Sequence, residues 1–546
     1  MIRRRLLRGA ASNLAGKVAA VAASFLLTPF LVHALGADGY GLWVLVGSAF
    51  AYGALLDLGI GGAVVKYVAE HLARGETAGA NAIVATAQRL FLLLGVLVAA
   101  VGFAAAPVVP RLFDVPDALR PVVAPLVVLT ALNIGATIAL LPTAVVLQGL
   151  QRYDLYNLVG VAGTVASAAG MALAVLAGGG LVGMACVALL VTAATRWAYL
   201  RLVRRTAPAL RFGGRHASRS AARRLLMFGT ASLAYRLGSR LSSRSDEFVI
   251  AAFLPVAAVA PYAVARKLSE AAQLVADQFL KVLVPLASEL DAVGDRERLR
   301  VLYLDGSRLT LGIVVPAAVL LMRFGAVALT AWVGPDYADA AGLVTLLSLA
   351  CLIETSQWAA GAVLEGMARQ RLLAATYLGS GVLNVGLSIL LVRPLGLAGV
   401  AWGTLIAAAI ASLGVILPHA VRTLGIAPET VVRDVWLPGL LPALPMSFAL
   451  AAVESVLAPP AAPAPVAATL APVSPAIAAA ASAAGLLAYA AAYLAMPGAR
   501  AERRAVVRLV RVMRGARRRS HAAAGPPPAG ERPSGRAAYG NPPADG

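Results

Sequence analysis

The stretch 81–107, NAIVATAQRLFLLLGVLVAAVGFAAAP, determines the fold class of this chain. Its 27 residues include a single charged side chain, Arg89. An α-helix needs about 20 consecutive, mostly apolar residues to cross a hydrocarbon core about 30 Å thick. A segment of this length and composition is therefore predicted to span a membrane.

The rest of the chain has the same character. Of the 546 residues, 60% are hydrophobic and 13% are charged, whereas soluble domains average about 45–50% apolar and about 25% charged residues. Apolar segments between charged or turn-rich breaks predict an all-α polytopic membrane protein with about fourteen transmembrane helices. These spans 1–14 cover residues 14–35, 40–66, 81–107, 121–147, 154–177, 181–201, 226–254, 261–287, 308–332, 341–365, 372–393, 396–418, 434–457 and 474–496.

The distribution of Lys and Arg predicts the orientation of the chain. About 34 of the 47 basic residues fall in loops and tails on one side, and only Arg111, Arg120 and Arg393 fall in loops on the other. Cytoplasmic loops carry the excess of basic residues, so both termini are predicted to be cytoplasmic. The same distribution explains the net charge of +21. Basic residues near the membrane surface are attracted to anionic headgroups, with about 1 kcal/mol of binding energy per residue, so membrane lipids are the predicted partners. No nucleic-acid partner is predicted.

An internal repeat predicts how the spans are grouped. VLQGLQRYDLYNLVGVAGTV from Val146 resembles VLEGMARQRLLAATYLGSGV from Val363, and GLVGMACVALL from Gly180 resembles GLAGVAWGTLI from Gly396. Both offsets are about 216 residues, which indicates two six-helix lobes of the same orientation with a substrate site between them. The predicted regions are an N-terminal lobe (1–201), a basic cytoplasmic linker (202–225), a C-terminal lobe (226–421), two additional spans (422–498) and a basic, disordered tail (499–546).

Spans 7 and 8 contain charged residues that follow helical periodicity. Arg236, Arg240 and Arg244 recur every four residues and so share one helix face. A charge at mid-membrane costs at least about 2.5–3.5 kcal/mol and usually faces water or a partner. Because Arg pairs bidentately with phosphate, the pattern favours a cationic cavity for an anionic substrate. The stripe in span 8 consists of Arg266, Glu270, Gln273, Asp277 and Lys281.

A purely structural interpretation of these charges stays open. Arg244 could pair with Asp246 or Glu247, and Arg266 with Glu270, as ion pairs that only stabilise the fold. Lys17 in span 1 and Arg89 in span 3 are the remaining residues predicted to line the cationic cavity. Both lie near an end of their span, so their charged groups could instead extend to the membrane–water interface.

Intramembrane carboxylates form a second predicted group. Asp57, Glu270, Asp277 and Glu354 are candidates to bind a coupling proton or Na⁺, or to neutralise neighbouring arginines. Cys186 and Cys351 lie within apolar segments and are interpreted as core residues. No metal site, cofactor or catalytic residue is predicted.

Four segments carry a resemblance to a known family. They are NLAGKVAAVAASFLLTPFLVHALGADGYGLWVL (13–45), LLDLGIGGAVVKYVAE (55–70), DEFVIAAFLPVAAVAPYAVARKLSE (246–270) and ALTAWVGPDYADAAGLVTLLSL (328–349). They resemble the Wzx-like polysaccharide-biosynthesis flippases of the multidrug/oligosaccharidyl-lipid/polysaccharide (MOP) exporter superfamily, over about residues 10–420.

The resemblance implies a non-enzymatic transporter of the bacterial plasma membrane. Such a protein has two lobes in a V and flips a polyprenyl-diphosphate-linked oligosaccharide to the outer leaflet by alternating access. Cationic cavity residues receive the diphosphate, and a polysaccharide polymerase and glycosyltransferases are the implied partners. A lipid II flippase or a small-molecule or multidrug exporter would share this fold. A membrane-embedded glycosyltransferase, ligase or polymerase fits less well, because the predicted external loops are short.

Overall fold

The structure is a computed structural model that describes residues 2–53, 57, 59–213, 216–227, 245–457, 474–496 and 499. All regular elements in these ranges are helical. The chain forms one large compact unit, Met1–Ala490, and a small second unit, Ala491–Gly546. Arg236, Arg240 and Arg244 lie outside the described residues, as do the side chains of Lys17 and Lys281.

Eight helices build the N-terminal lobe. Gly36, with φ 68°, breaks the long first helix between spans 1 and 2, a backbone conformation that glycine adopts without a steric penalty. Span 4 is divided into two helices ahead of Pro142, whose ring lacks the N–H needed to continue a helix. The helices are α1 (Ile2–Gly53), α2 (Ile60–Ala73), α3 (Thr77–Ala105), α4 (Val109–Leu112), α5 (Arg120–Ala139), α6 (Leu141–Gly149), α7 (Tyr153–Leu176) and α8 (Gly180–Thr206).

The described helices of the C-terminal lobe follow the same plan. They are α9 (Asp246–Phe253), α10 (Val259–Ala271), α11 (Gln273–Ala292), α12 (Arg296–Val333), α13 (Ala341–Ser356), α14 (Trp358–Gly366), α15 (Gln370–Leu395), α16 (Leu397–Ala409) and α17 (Leu417–Leu424). Span 10 is divided between α13 and α14, as span 4 is divided between α5 and α6. The non-glycine residues with positive φ in the described chain are Gln151 (58°) and Ala368 (57°), which occupy the same position in the two repeats. The repeat is therefore present in the backbone as well as in the sequence.

The helical membrane fold predicted from composition is confirmed. Eleven helical segments of the described chain are long and apolar enough to cross a membrane. Of the remaining predicted spans, span 2 continues from span 1 within α1, span 7 lies largely outside the described residues, and span 8 contains the charged stripe. The count of fourteen and the boundaries of the regions stay predictions.

Among the described residues, the two lobes share a hydrophobic core at one end of the molecule. This core, on the side predicted to be external, includes Leu31 and Leu42 of α1, Val256 and Tyr262 from the start of the second lobe, and Val333 of α12. On the predicted cytoplasmic side, each lobe has a core of its own. The lobes are thus closed against each other at the end that is predicted to be external.

Two further long helices, α18 (Ala443–Leu457) and α19 (Pro475–Ala495), follow the second lobe. An ion pair joins Arg323 of α12 to Glu454 of α18, and the Glu454 side chain is 12% exposed. The Tyr489 hydroxyl of α19 donates to the Gly439 carbonyl at 2.7 Å. The additional helices are therefore attached to the second lobe by polar contacts as well as by packing.

We expect Arg323→Ala to destabilise this attachment. The Arg323 side chain is 45% exposed, so the loss should be smaller than the about 3–5 kcal/mol of a fully buried pair, but the substitution leaves the largely buried Glu454 carboxylate without its ion-pair partner. Thermal unfolding of the purified protein in detergent should show a lower midpoint for Arg323→Ala, and the charge-swapped double variant Arg323→Glu/Glu454→Arg should recover part of the loss. An unchanged midpoint in the single variant would show that the pair contributes no stability.

Candidate functional site

The cleft between the lobes is bridged by a lysine. Lys267 Nζ of α10 donates to Thr28 Oγ1 at 2.6 Å and to the Ser24 carbonyl at 3.2 Å, both on α1. A cavity of about 330 Å³ beside this contact is lined by both lobes, including Ser24, Tyr40, Arg266, Lys267 and Glu270. Lys267 is absent from the predicted site residues, because it lies one position off the helix face that carries Arg266 and Glu270.

A proline in α1 creates a second bridge. Pro29 has no N–H, so the carbonyl of Phe25 loses its partner within the helix. Trp332 Nε1 of α12 donates to this carbonyl at 3.0 Å, and the rings of Phe25 and Trp332 stack with centroids 4.4 Å apart. The carbonyl freed by Pro29 thus binds the other lobe.

Asp246 is the centre of a buried polar cluster in the C-terminal lobe. The Tyr262 hydroxyl donates to its Oδ2 at 2.6 Å, Thr404 Oγ1 donates to Oδ2 at 3.0 Å, and Asn384 Nδ2 donates to Oδ1 at 3.0 Å. Ser388 Oγ in turn donates to Asn384 Oδ1 at 3.2 Å. This cluster joins α9, α10, α15 and α16.

Arg266 lies beside this cluster and is paired. Its guanidinium forms an ion pair with Glu247, whose side chain is wholly buried, and lies 3.7 Å from Glu270 Oε1. The contact between Arg266 and Glu270 that the sequence suggested is therefore present, with Glu247 as an additional partner. Arg266 also lines the cavity between the lobes, so its role in binding stays a prediction.

The predicted coupling carboxylates of the C-terminal lobe lie around two adjacent cavities. One, of about 140 Å³, is lined by Asp246, Arg266, Glu270 and Glu354 among others. The other, of about 330 Å³, is lined by Asp277, Glu354 and Glu365. Carboxylates outnumber arginine among the described residues here, so the predicted cationic character depends on the arginines of span 7 and stays a prediction.

The remaining predicted residues lie elsewhere. Asp57 Oδ1 accepts from the Gly61 amide at 2.7 Å and so binds a free N–H in the first turn of α2, a structural role that the sequence did not suggest. Arg89 is exposed on α3.

The Asp246 cluster can hold a proton or one small cation. Oxygen atoms of Asp246, Asn384 and Thr404 converge there, and oxygen ligands suit hard cations. The described residues contain no group of three or more His, Cys, Asp or Glu side chains that could hold a metal ion. With one carboxylate among its ligands, the cluster suits a monovalent cation better than a divalent one.

Comparisons with known proteins agree with this architecture. A profile of the family described as "Polysaccharide biosynthesis protein" matches residues 6–291, more than half of the chain. A sequence search of the curated proteins finds no match.

Solved structures share the fold at low sequence identity. The lipid II flippase MurJ in an inward closed conformation has 12% identity and a TM-score of 0.68, with 89% of this chain and 98% of that chain covered. A multidrug resistance MATE family transporter of the MOP superfamily, in its inward-facing conformation, has 16% identity and a TM-score of 0.67, with 73% and 93% covered. An outward-facing conformation of such a transporter has 16% identity and a TM-score of 0.57, with 77% and 95% covered. The chain therefore belongs to the polysaccharide biosynthesis protein family, as a membrane protein with the fold of the MOP superfamily transporters.

Proposed function

We propose that this protein flips a polyprenyl-diphosphate-linked oligosaccharide from the cytoplasmic to the outer leaflet of a bacterial plasma membrane. The observation that carries the proposal is the one-sided closure of two repeated lobes around a charged cleft, in a chain of the polysaccharide biosynthesis family. Lobes that share a core at one end and have separate cores at the other can rock about their contact, which exposes the cleft to each side in turn.

The charged part of the cargo would occupy the cleft while the lipid chain stays in the bilayer. Lys267 and the predicted arginines of span 7 supply cations for the diphosphate. The Asp246 cluster is the proposed coupling site, because a proton or cation bound there would contact α9, α10, α15 and α16 together. In this proposal both termini are cytoplasmic. A polysaccharide polymerase and glycosyltransferases would act beside this protein.

A second candidate has one specific observation in its favour. The described residues around the Asp246 and Glu354 cavities are predominantly acidic, and acidic cavities attract organic cations. Export of an organic cation by the same lobes is the alternative.

Reconstituted vesicles separate the two candidates. A fluorescent lipid-linked oligosaccharide is included in the membrane, and a membrane-impermeant quencher reports the fraction that reaches the exposed leaflet. Flipping in protein-containing vesicles and not in empty vesicles would support the proposal. Transport of ethidium without flipping of the lipid-linked oligosaccharide would replace it with the cation exporter.

We expect Arg240→Ala and Arg244→Ala to abolish export without loss of membrane insertion. Each would remove a charged hydrogen-bond donor for the diphosphate, which is worth about 1.5–3 kcal/mol, or roughly a tenfold or greater loss of flipping. Arg298→Ala, at a cytoplasmic arginine paired with Asp295, is the matched control. Normal surface polysaccharide in cells carrying either variant would contradict the assignment of these arginines.

A further inference from the structure

A separate cavity lies inside the N-terminal lobe, among α1, α5, α7 and α8. Its volume is about 630 Å³, within the range of about 300–1,000 Å³ that is usual for small-molecule sites. Ser24 of α1 borders both this cavity and the cavity between the lobes. A ligand group here would therefore lie one helix away from the proposed transport cleft.

Arg196 of α8 gives this cavity its charge. Among the described lining residues it is the one ionisable group that is charged at neutral pH, and no Asp or Glu lies with it. Its guanidinium lies over the Tyr199 ring, 5.9 Å from the centroid. At 1.5 Å per residue, Arg196 is about 7.5 Å deeper along the helix than Arg201. An arginine inside the membrane is costly unless it has a partner or faces a wet cavity, so this cavity attracts anions.

Aromatic rings form part of the same wall. Tyr156 and Tyr199 are stacked, with ring centroids 5.7 Å apart, and the Tyr199 hydroxyl donates to the Tyr156 carbonyl at 3.0 Å. Trp43 of α1 also lines the cavity. Tyr199 is 6% exposed and supports the Tyr156 ring. The partly exposed rings of Tyr156 and Trp43 therefore offer the apolar surface for the C–H face of a sugar ring.

Hydrogen-bonding groups complete the lining. The side chain of Asn133 is one of these groups. Hydroxyl groups on the cavity wall belong to Ser24, Thr130, Thr164, Ser167, Thr192 and Thr195.

We propose that this cavity is a glycan subsite that selects an acidic sugar, with the sugar carboxylate on Arg196 and a ring against the tyrosine pair. The diphosphate fits less well, because it carries at least two negative charges and the described lining offers one cation. Arg196 binds a single carboxylate bidentately. The inference rests on the proposed function, since it takes the glycan to be part of the flipped cargo.

Calorimetric binding to the purified full-length protein tests the subsite. The probes are a soluble trisaccharide that contains glucuronic acid, its neutral glucose analogue and inorganic pyrophosphate. We expect the acidic trisaccharide to bind most tightly, Arg196→Gln to weaken it at least about tenfold, and the neutral trisaccharide to be unaffected. Arg201→Gln is the matched control, because the exposed Arg201 lies over Trp197, 5.1 Å from the ring centroid, outside the cavity. Equal affinity for both trisaccharides, no effect of Arg196→Gln, or tightest binding of pyrophosphate would each overturn the proposal.

A second variant tests the subsite independently, in case Arg196→Gln misfolds. Ser167→Phe would fill the cavity without changing Arg196, and we expect it to weaken both trisaccharides alike. Unchanged binding of both in this variant would place the glycan elsewhere.

Flipping assays with acidic and neutral lipid-linked glycans separate this inference from the proposed function. Wild-type protein that flips neither glycan, yet binds the acidic trisaccharide through Arg196, would refute the flippase and support the subsite. Flipping of both glycans with equal sensitivity to Arg196→Gln would support the flippase and refute the acidic-sugar subsite.

Discussion

Gly41→Ala is expected to reduce flipping by at least about fivefold, because the added methyl group would prevent the lobes from closing on the predicted external side. A Cβ atom at Gly41 of α1 would lie 2.3 Å from the carbonyl oxygen of Val256 in the second lobe. The Val256 amide is itself held by the Asp114 carbonyl of the first lobe at 3.2 Å. Neither group is the end of a flexible side chain, so the backbones must separate.

The size of this effect follows from packing energies. Inserting a methyl group into a well-packed contact costs about 1–3 kcal/mol, which corresponds to a roughly 5- to 150-fold shift of a two-state equilibrium. The penalty falls on the externally closed state alone. The transporter would therefore remain open to the external side and would return slowly to load cargo.

Cysteine labelling would measure this shift directly. With Cys186 and Cys351 replaced by alanine, a single cysteine at position 263, in the cavity between the lobes, reports access of an impermeant maleimide from outside. Labelling should increase in Gly41→Ala and stay low in Gly386→Ala, which adds the same methyl group to a helix with nothing within 4 Å. Lys267→Met, which removes the bridge to Thr28, should also increase labelling. Wild-type labelling and flipping in Gly41→Ala would refute the proposed closure.

Asp246→Asn is expected to abolish stimulation of flipping by an ion or proton gradient. The substitution keeps the side-chain volume, but it replaces one carboxylate oxygen by an NH₂ group that cannot accept from Tyr262 or Thr404. A neutral amide also has no charge with which to bind a proton or cation. Flipping driven by an imposed pH or Na⁺ gradient should fall at least about tenfold, since each charged hydrogen bond contributes about 1.5–3 kcal/mol.

The comparison variants for Asp246 test folding and specificity. Asp246→Ala would remove the carboxylate that accepts from Tyr262, Asn384 and Thr404. A buried donor that loses its acceptor costs about 1–3 kcal/mol, so the thermal midpoint of this variant in detergent should fall well below that of Asp246→Asn. Asp339→Asn, at an exposed carboxylate that follows α12 on the side predicted to be external, should behave as wild type. Full gradient-driven flipping by Asp246→Asn would remove Asp246 from the coupling mechanism.

Some contacts of the candidate residues could be predicted from the sequence and others could not. Arg266 and Glu270 lie four positions apart on one helix, so helical periodicity alone brings them together, and the structure places them 3.7 Å apart. Asp246 and its partners Asn384 and Thr404 are separated by 138 and 158 residues. No spacing rule connects positions on different helices. The sequence therefore suggested Asp246 only as a candidate partner of Arg244.

The sequence by itself determined that this protein is an all-α membrane protein built from a repeat. Hydropathy is a property of each segment, because lipid requires every span to be apolar and internally hydrogen-bonded whatever its neighbours are. The tertiary structure decided which charges are paired and where the lobes meet. The packing of helices that are distant in sequence decides three features of the site. It decides whether Arg266 contacts Glu247, whether Trp332 binds the carbonyl freed by Pro29, and whether Arg196 faces a cavity. Those contacts are set by the shapes of both surfaces together, which no single segment specifies.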